Sequence, residues 1–323
     1  MIQTVTGNIQ KNELGRCLAH QHIVEGAPGW DNILGANQQP YCFMDESVQV
    51  LTDARERFGL QTIVDATTAD RGRNPQFLKE VSQRSGVNVI ASTGYYTEKA
   101  GASNYFAVRM RFGNAEQEVY DMMHADITKG MRGTDIKAGV IKVATGYGEI
   151  TPYEDMFLRV AAAVSRDTGC AIISHTERGT MHLEQAKRLK EYGASPDRIM
   201  IGHLNNCDNI DELMQLAEEG VYLGFDRMGL VGLSGITPEN RRLALITGLA
   251  AAGYSDRIVL AHDSIIRMLG SSLEYPAETA KRLKDWNFVH IFENILPALQ
   301  KMGVSEEITE SFVNANPARL LDM

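Results

Sequence analysis

Short apolar runs recur along the chain, and each is followed by a turn and a longer stretch with helical periodicity. Successive apolar positions within a run are typical of strands buried on both faces of a parallel sheet. The eight runs cover residues 16–22, 61–67, 87–93, 138–144, 171–176, 199–203, 221–225 and 257–263. The stretches between them predict helices over 45–58, 75–85, 153–168, 180–192, 208–219 and 238–252.

Eight strand–helix units within roughly 250 residues favour a (β/α)8 TIM barrel over an open doubly wound sheet. A dinucleotide-binding fold is disfavoured because no GxGxxG motif follows the first run. No linker rich in Pro, Gly or Ser interrupts the chain, so we expect one domain over residues 1–323. Residues 285–323 are predicted to be helices that close the barrel.

Composition and charge limit the classes of binding partner and indicate a cellular compartment. A net charge of -9 without a basic run argues against nucleic acid as a partner. The N-terminus lacks a signal-peptide pattern, and no apolar run approaches the roughly 20 residues that span a bilayer, so we expect no membrane partner. The four cysteines are scattered without a CxxC motif, which favours a reduced, cytoplasmic protein.

Polar residues gather where predicted strands end, and a barrel carries its chemistry at the C-terminal ends of its strands. Lys142 lies on the fourth strand and Asp263 follows the eighth. Five of the eight histidines lie at or near such ends: His20, His22, His175, His203 and His262. These positions predict a site at the barrel mouth.

The spacing of His20 and His22 directs both imidazoles to one face of the first strand, where they could chelate a metal. Taken alone, an HxH motif is more often satisfied by hydrogen bonds, and the same holds for His175 or His203 singly. Four histidines, a lysine and an aspartate on five strands favour a metal centre when taken together. The donor mixture suits zinc, or alternatively cobalt, manganese or iron.

Lys142 lies within a short strand that is predicted to be buried, and burying an unpaired ammonium is costly. A lysine held neutral by desolvation can react with carbon dioxide, and the two carbamate oxygens can bridge two metals. The hypothesis places one metal on His20, His22 and Asp263 and the other on His175 and His203, bridged by carboxylated Lys142 and a hydroxide.

Two alternatives for Lys142 stay open. In the first, its amine extends to the strand end and pairs with Asp263. In the second, it forms a Schiff base, as lysines do in barrel aldolases. The set of four histidines argues against the aldolase, because Schiff-base chemistry does not require them.

The order of these motifs resembles the phosphotriesterase family of the amidohydrolase superfamily. The shared motifs are HxH at 20–22, GVIK at 139–142, SHT at 174–176, IGH with the following CDN at 201–209, GFDR at 224–227, AHD at 261–263 and FVNANPARLL at 312–321. The resemblance covers essentially the whole chain. It implies a distorted TIM barrel, two divalent metals, a homodimer, and hydrolysis of an ester-like bond by a bridging hydroxide.

The sequence departs from phosphotriesterases proper and is closer to the lactonase-like branch. Asn206 stands where phosphotriesterases tend to have an aspartate of a proton relay. The motif FDRMGL at 225–230 resembles the lactonase-like pattern, with Arg227 after the strand-seven aspartate. Arg227 is expected to hold Asp263 or the substrate, or else to form a salt bridge with Asp226 or another rim carboxylate.

The resemblance also implies a pocket tyrosine after the third strand, and both Tyr95 and Tyr96 fall there. The alternative for either is packing on the barrel rim. Asp263 is expected to receive the proton of the attacking hydroxide. The loops after strands seven and eight are rich in apolar residues: Met228, Leu230, Val231, Leu233, Ile265, Ile266, Met268 and Leu269. They favour an apolar substituent on the substrate, unless they form rim packing or a dimer contact.

These patterns predict a metal-dependent hydrolase of lactones or carboxylic esters, with organophosphate triester hydrolysis as a side activity. The alternatives are an amidase acting on an N-acyl compound through the same bimetal centre, a Schiff-base aldolase, and a binding protein without catalysis.

Overall fold

The computed structural model describes residues 1–32, 35–101, 103–231, 237–270 and 275–323. Within them, nine parallel strands form one sheet in the order β10-β9-β8-β7-β6-β5-β4-β3-β11, and β1 and β2 form a separate antiparallel hairpin. The strands are β1 Ile2–Thr4, β2 Gly7–Ile9, β3 Arg16–Gly26, β4 Leu60–Asp65, β5 Asn88–Gly94, β6 Val140–Thr145, β7 Ala171–Thr176, β8 Ile199–Ile201, β9 Tyr222–Phe225, β10 Ile258–Leu260 and β11 Ile265–Leu269.

The sheet closes on itself where β10 connects to β11. These two strands lie at opposite edges of the sheet, so the connection between them joins the edges. The Asp263 amide donates to the His20 carbonyl at 3.0 Å, and the His22 amide donates to the Ser264 carbonyl at 2.9 Å. The predicted (β/α)8 barrel is therefore confirmed. Strands β3 to β10 are the eight predicted runs, whereas β1, β2 and β11 were not predicted.

The helices alternate with the barrel strands as predicted. The helices are α1 Gln39–Cys42, α2 Met44–Phe58, α3 Pro75–Ser85, α4 Asn104–Phe112, α5 Ala115–Thr128, α6 Pro152–Thr168, α7 His182–Glu191, α8 Ile210–Glu218, α9 Glu239–Ala251, α10 Ala277–Arg282, α11 Leu296–Lys301, α12 Glu306–Ser311 and α13 Ala315–Leu321. None of the described helices is long and apolar enough to cross a membrane.

Helix α6 shows why these boundaries could be predicted from local sequence. The Thr151 hydroxyl accepts a hydrogen bond from the Glu154 amide, and the Glu154 carboxylate accepts one from the Thr151 amide, which forms a capping box. Pro152 occupies the first turn, and Gly169 caps the C-terminal end with a φ of 76°, which favours glycine.

The barrel interior holds an apolar cluster below a polar rim. This cluster includes Val140 of β6, Ile173 of β7 and Val259 of β10, all fully buried. Side chains two positions apart in a strand point to the same face. The same inward-facing positions continue towards the C-terminal ends of these strands as Lys142, His175 and Asp263. The alternation of side chains along the strands thus places the apolar cluster and the polar site in the interior of the same barrel, one above the other.

Candidate metal centre

The first part of the site is formed by β3, β6 and the connection after β10. The pairing of β3 with β4 shifts register between Leu18 and Gln21, next to the two histidines. His20 Nε2 lies 2.7 Å from Lys142 Nζ and 3.4 Å from Asp263 Oδ1. His22 Nε2 lies 3.2 Å from the same carboxylate oxygen. The structure therefore brings together the three residues predicted for one metal and places the lysine beside them.

The second part is formed by His175 at the end of β7 and His203 just after β8. Their rings meet edge-on with centroids 4.4 Å apart, and His203 Nε2 lies 3.6 Å from Asp263 Oδ2. His175 Nε2 also contacts Glu177 Oε2 at 3.0 Å. His203 and Asp263 have positive φ angles of 62° and 51°, which are uncommon for non-glycine residues, although histidine and aspartate adopt them more often than most. All six predicted ligands thus surround one cavity.

The sequence predicted Asp226 only as an alternative ion-pair partner of Arg227, but the structure makes it a residue of the site. It is fully buried just after β9, on the inward-facing positions of that strand. Its Oδ2 lies 2.6 Å from His20 Nδ1, and its Oδ1 lies 2.9 Å from His203 Nδ1 and accepts from the His203 amide. One carboxylate therefore orients two imidazoles so that both Nε2 atoms face the cavity. Strand parity was the signal that could have identified it.

We expect Asp226→Asn to weaken metal binding about 10- to 100-fold, as loss of a carboxylate behind a ligating histidine typically does. The asparagine side chain is neutral and has one acceptor oxygen in place of two. It therefore cannot accept a hydrogen bond from each imidazole, and the orientations of the two rings are no longer held. Competition with a chromophoric chelator measures this affinity. The exposed Asp53→Asn serves as the control variant, and wild-type affinity in Asp226→Asn would assign Asp226 to packing alone.

Burial determines the protonation of most of the imidazoles. It lowers the pKa of His175 to about 4 and lowers the pKa of His20 and His203 below the ordinary value. His22 differs: burial would lower its pKa, but the charges of Glu25 and Asp263 raise it. Neutral imidazole is the form that ligates metals, so three of the four rings are already in that form at neutral pH.

The charges of Lys142 and Asp263 also suit a divalent ion. Burial lowers the pKa of Lys142 to about 8, which brings the neutral amine within reach of ordinary pH. Burial would raise the pKa of Asp263, but His203, His20 and Arg227 lower it well below its usual range. Imidazole nitrogens with an ionised carboxylate are a donor set that zinc and similar divalent ions accept. The residues present therefore fit a metal centre.

Arg227 contacts Asp263, one of the partners predicted for it. Its Nε donates to Asp263 Oδ2 at 2.9 Å, and its backbone amide donates to Asn205 Oδ1 at 2.8 Å. Within the described part of the chain, no ion pair joins Arg227 to Asp226. The arginine therefore holds the carboxylate that faces the predicted ligands.

Tyr96 lies in the site. Its hydroxyl is 2.9 Å from His175 Nδ1, and its ring centroid is 4.8 Å from that of the imidazole. The Arg71 guanidinium stacks 4.7 Å from the centre of the tyrosine ring. Tyr96 thereby connects the cavity wall to one of the predicted metal ligands.

The prediction of Tyr95 as a site residue is wrong. Its ring turns into the core and packs against Phe106 and Phe157, both with centroids 5.2 Å away, and its hydroxyl donates to Met122 Sδ. The two tyrosines directly follow β5, and consecutive extended residues point to opposite sides. Only one of them could therefore face the cavity.

Tyr96→Phe should lower kcat/KM about fivefold, the equivalent of one hydrogen bond of about 1 kcal/mol. Tyr95→Phe is the matched variant and should leave kcat/KM unchanged, because its hydroxyl contacts only the core. Steady-state kinetics of both variants on the best substrate provide the comparison. Equal effects of the two substitutions would contradict this assignment.

The cavity above these residues has a volume of about 170 Å³. Of the apolar loop residues, Leu230 and Ile265 line it, and Trp286 joins them. The other loop residues do not line it. Met228 and Leu269 are buried in the core, Ile266 and Met268 border a neighbouring cleft, Val231 is half-buried, and Leu233 lies outside the described residues.

Two more cavity residues, Glu25 and Arg71, form an ion pair and were not predicted. His262 does not reach the cavity. It is fully buried, and its Nε2 accepts a hydrogen bond from the Ile291 amide at 2.9 Å. Both findings depend on side-chain direction, which the sequence pattern alone did not reveal.

The fold and this ring of side chains define a TIM-barrel hydrolase of the metal-dependent class. Among such hydrolases, the chain belongs to the phosphotriesterase family, whose model matches residues 1–321. The resemblance stated from the motifs is thus confirmed.

Relatives of the chain carry the names of different hydrolases. The chain is 31% identical to an aryldialkylphosphatase from Saccharolobus solfataricus over 97% of this chain and 96% of the relative. It is 27% identical to an N-acetyltaurine hydrolase from Salmo salar over 99% of this chain and 97% of that relative. A solved mutant of a Deinococcus radiodurans PTE-like lactonase is 40% identical, with a TM-score of 0.96 over 99% of this chain and all of that one.

Proposed function

We propose that the protein is a binuclear metal-dependent hydrolase of lactones or carboxylic esters, with organophosphate triester hydrolysis as a side activity. The observation that carries the proposal is the convergence of four imidazoles, Lys142 and Asp263 around one cavity. The 40% identity to a protein named a PTE-like lactonase supports the lactone preference. The relative named an aryldialkylphosphatase supports the side activity.

The proposed ligands are the predicted ones. One ion would be held by His20, His22 and Asp263, the other by His175 and His203, with Lys142 bridging both as its carbamate. Zinc is the proposed metal, with cobalt, manganese and iron as alternatives. Bound at these positions, divalent ions would supply a water-derived nucleophile at neutral pH and polarise the substrate's carbonyl or phosphoryl oxygen.

The chain's own residues would position the substrate and move the proton. Asp263 would accept the proton of the attacking water, because it is ionised and its side chain is 12% exposed towards the cavity. Arg227 holds this carboxylate in place through Nε. Leu230, Ile265 and Trp286 form an apolar wall that would accept the hydrocarbon part of a lactone or ester.

Arg227→Ala should preserve metal content and lower kcat/KM about tenfold, equivalent to about 1.4 kcal/mol. Its guanidinium contacts the ligand Asp263 from the cavity side, so its removal changes carboxylate orientation and pocket shape together. Metal analysis combined with kinetics on two lactones of different chain length measures both effects. Unchanged kinetics on both lactones would leave the arginine with a structural role only.

A substrate panel tests the proposed function. Protein stripped with a chelator and reloaded with zinc would be assayed against lactones, aryl esters, phosphotriesters and N-acyl amides, with the stripped protein as control. We expect activity that depends on metal, with kcat/KM for the best lactone at least about tenfold above that for the phosphotriesters. Full metal occupancy without activity on any of the four classes would favour a binding protein.

The second candidate is an amidase on an N-acyl compound, favoured by the relative named an N-acetyltaurine hydrolase. The N-acyl amides in the panel decide between it and the lactonase. The aldolase alternative requires borohydride to trap a substrate on Lys142 in protein with less than one metal ion per chain. A cytoplasmic location and a homodimer stay predictions.

A further inference from the structure

A second cluster of metal-ligand residues lies outside the cavity. It consists of His182 at the start of α7, Cys207 in the turn after β8, and Glu212 in the first turn of α8. His182 Nε2 lies 2.8 Å from Glu212 Oε2, and Cys207 Sγ lies 3.8 Å from each of these two atoms. Three different donor groups from three segments therefore converge on one point.

These separations are close to those of a tetrahedral zinc site. Zinc bonds of about 2.0 Å to nitrogen or oxygen and 2.3 Å to sulfur place neighbouring ligands about 3.3–3.6 Å apart. Shifts of about half an ångström would bring the three donors to these values. His182 and Cys207 are buried, whereas the Glu212 side chain is 37% exposed. An ion could thus enter from solvent beside the carboxylate and keep water as a fourth ligand.

The same three residue types could instead form a nucleophilic triad, but the geometry disfavours it. In a triad, the nucleophile and the carboxylate contact opposite nitrogens of the imidazole. Here Cys207 and Glu212 both face His182 Nε2, and Nδ1 has no hydrogen-bond partner among the described residues. Burial also raises the pKa of Cys207 to about 11, so the free thiol is not an activated nucleophile.

We propose that His182, Cys207 and Glu212 form a structural site for zinc or a similar divalent ion, separate from the candidate metal centre. Such an ion would connect the starts of α7 and α8 through the turn that carries both His203 and Cys207. The proposal does not depend on the function proposed above, because none of the three residues lines the cavity.

Cobalt substitution tests this site separately from the other one. A thiolate bound to Co²⁺ produces a charge-transfer band in the near ultraviolet, which nitrogen and oxygen ligands do not. All proposed ligands of the cavity centre are nitrogen or oxygen donors, so the band reports on cobalt bound by a cysteine and not on that centre. Full-length protein would be stripped of metal, loaded with Co²⁺, and examined by absorption spectroscopy and elemental analysis.

We expect the band in the wild type and in Cys42→Ser, whose cysteine is exposed and does not belong to the cluster. Cys207→Ser and His182→Gln should each lose the band and about one cobalt ion per chain. A wild-type protein without the band, or a band that persists in Cys207→Ser, would overturn the proposal. If Cys207→Ser does not fold, the spectra of the wild type and Cys42→Ser together decide the matter, because Cys17 and Cys170 are buried.

Discussion

Lys142→Ala should lower kcat/KM at least about a thousandfold and release the two ions proposed for the cavity, leaving about one ion per chain at the site proposed for Cys207. The amine is fully buried and lies 2.7 Å from His20 Nε2, so no solvent-exposed group can take its place. Without the lysine, the two proposed ions lose their shared anionic ligand, and the positive charges repel each other across a small cavity. Elemental analysis after gel filtration and steady-state kinetics measure the two effects.

The matched control for this prediction is Lys129→Ala, which removes an exposed lysine. Short carboxylic acids added to Lys142→Ala should restore part of the activity, because a free carboxylate can occupy the place of the carbamate. Wild-type rate with unchanged metal content in Lys142→Ala would contradict the bridging role. Loss of activity with full metal content and no rescue would favour a lysine that contacts the substrate.

Asp263→Asn should lower kcat about 100- to 10,000-fold, the range typical of a missing general acid or base. The carboxylate accepts a hydrogen bond from Arg227 Nε at 2.9 Å and lies within 3.6 Å of three imidazoles. It is therefore the hydrogen-bond acceptor that these side chains share. The asparagine keeps one oxygen for a metal but cannot accept a proton at neutral pH. We therefore expect turnover to fall more than metal content.

Measuring the loss of kcat and the loss of metal content in the same variant separates a proton acceptor from a metal ligand. Asp53→Asn again provides an exposed control, and Asp263→Glu tests whether a displaced carboxylate restores part of the turnover. If metal content falls as steeply as kcat in Asp263→Asn, then Asp263 is mainly a ligand. An unchanged kcat would exclude Asp263 as the proton acceptor.

The strands and helices could be predicted because their signals are local. A short apolar run between turn-forming residues indicates a buried strand wherever it packs, and a capping box such as that of Thr151 begins a helix by contacts within four residues. Strand β11 was missed because the mostly apolar residues 265–269 closely follow the eighth strand and were predicted as its loop; only Leu269 among them is buried. They pair with β3 only because the barrel closes there.

The candidate site could be predicted in part for the same reason. Residues at the ends of strands in a parallel barrel must meet, so His20, Lys142 and Asp263 could be grouped without coordinates. The direction of a side chain beyond the strand end is not a local property. The choice between Tyr95 and Tyr96 depended on which side of the loop faced the core, and core packing against Phe157 decided it.

The sequence by itself determined the barrel, the family and the set of polar residues at the barrel mouth, because strand periodicity and the order of motifs can be read from the sequence alone. Only the tertiary structure decided that Asp226 holds two imidazoles, that Arg227 holds Asp263, and that Cys207 meets His182 and Glu212. Each of these contacts joins residues from different strands or helices. Their distances follow from how the sheet closes and the helices pack, which no local pattern encodes.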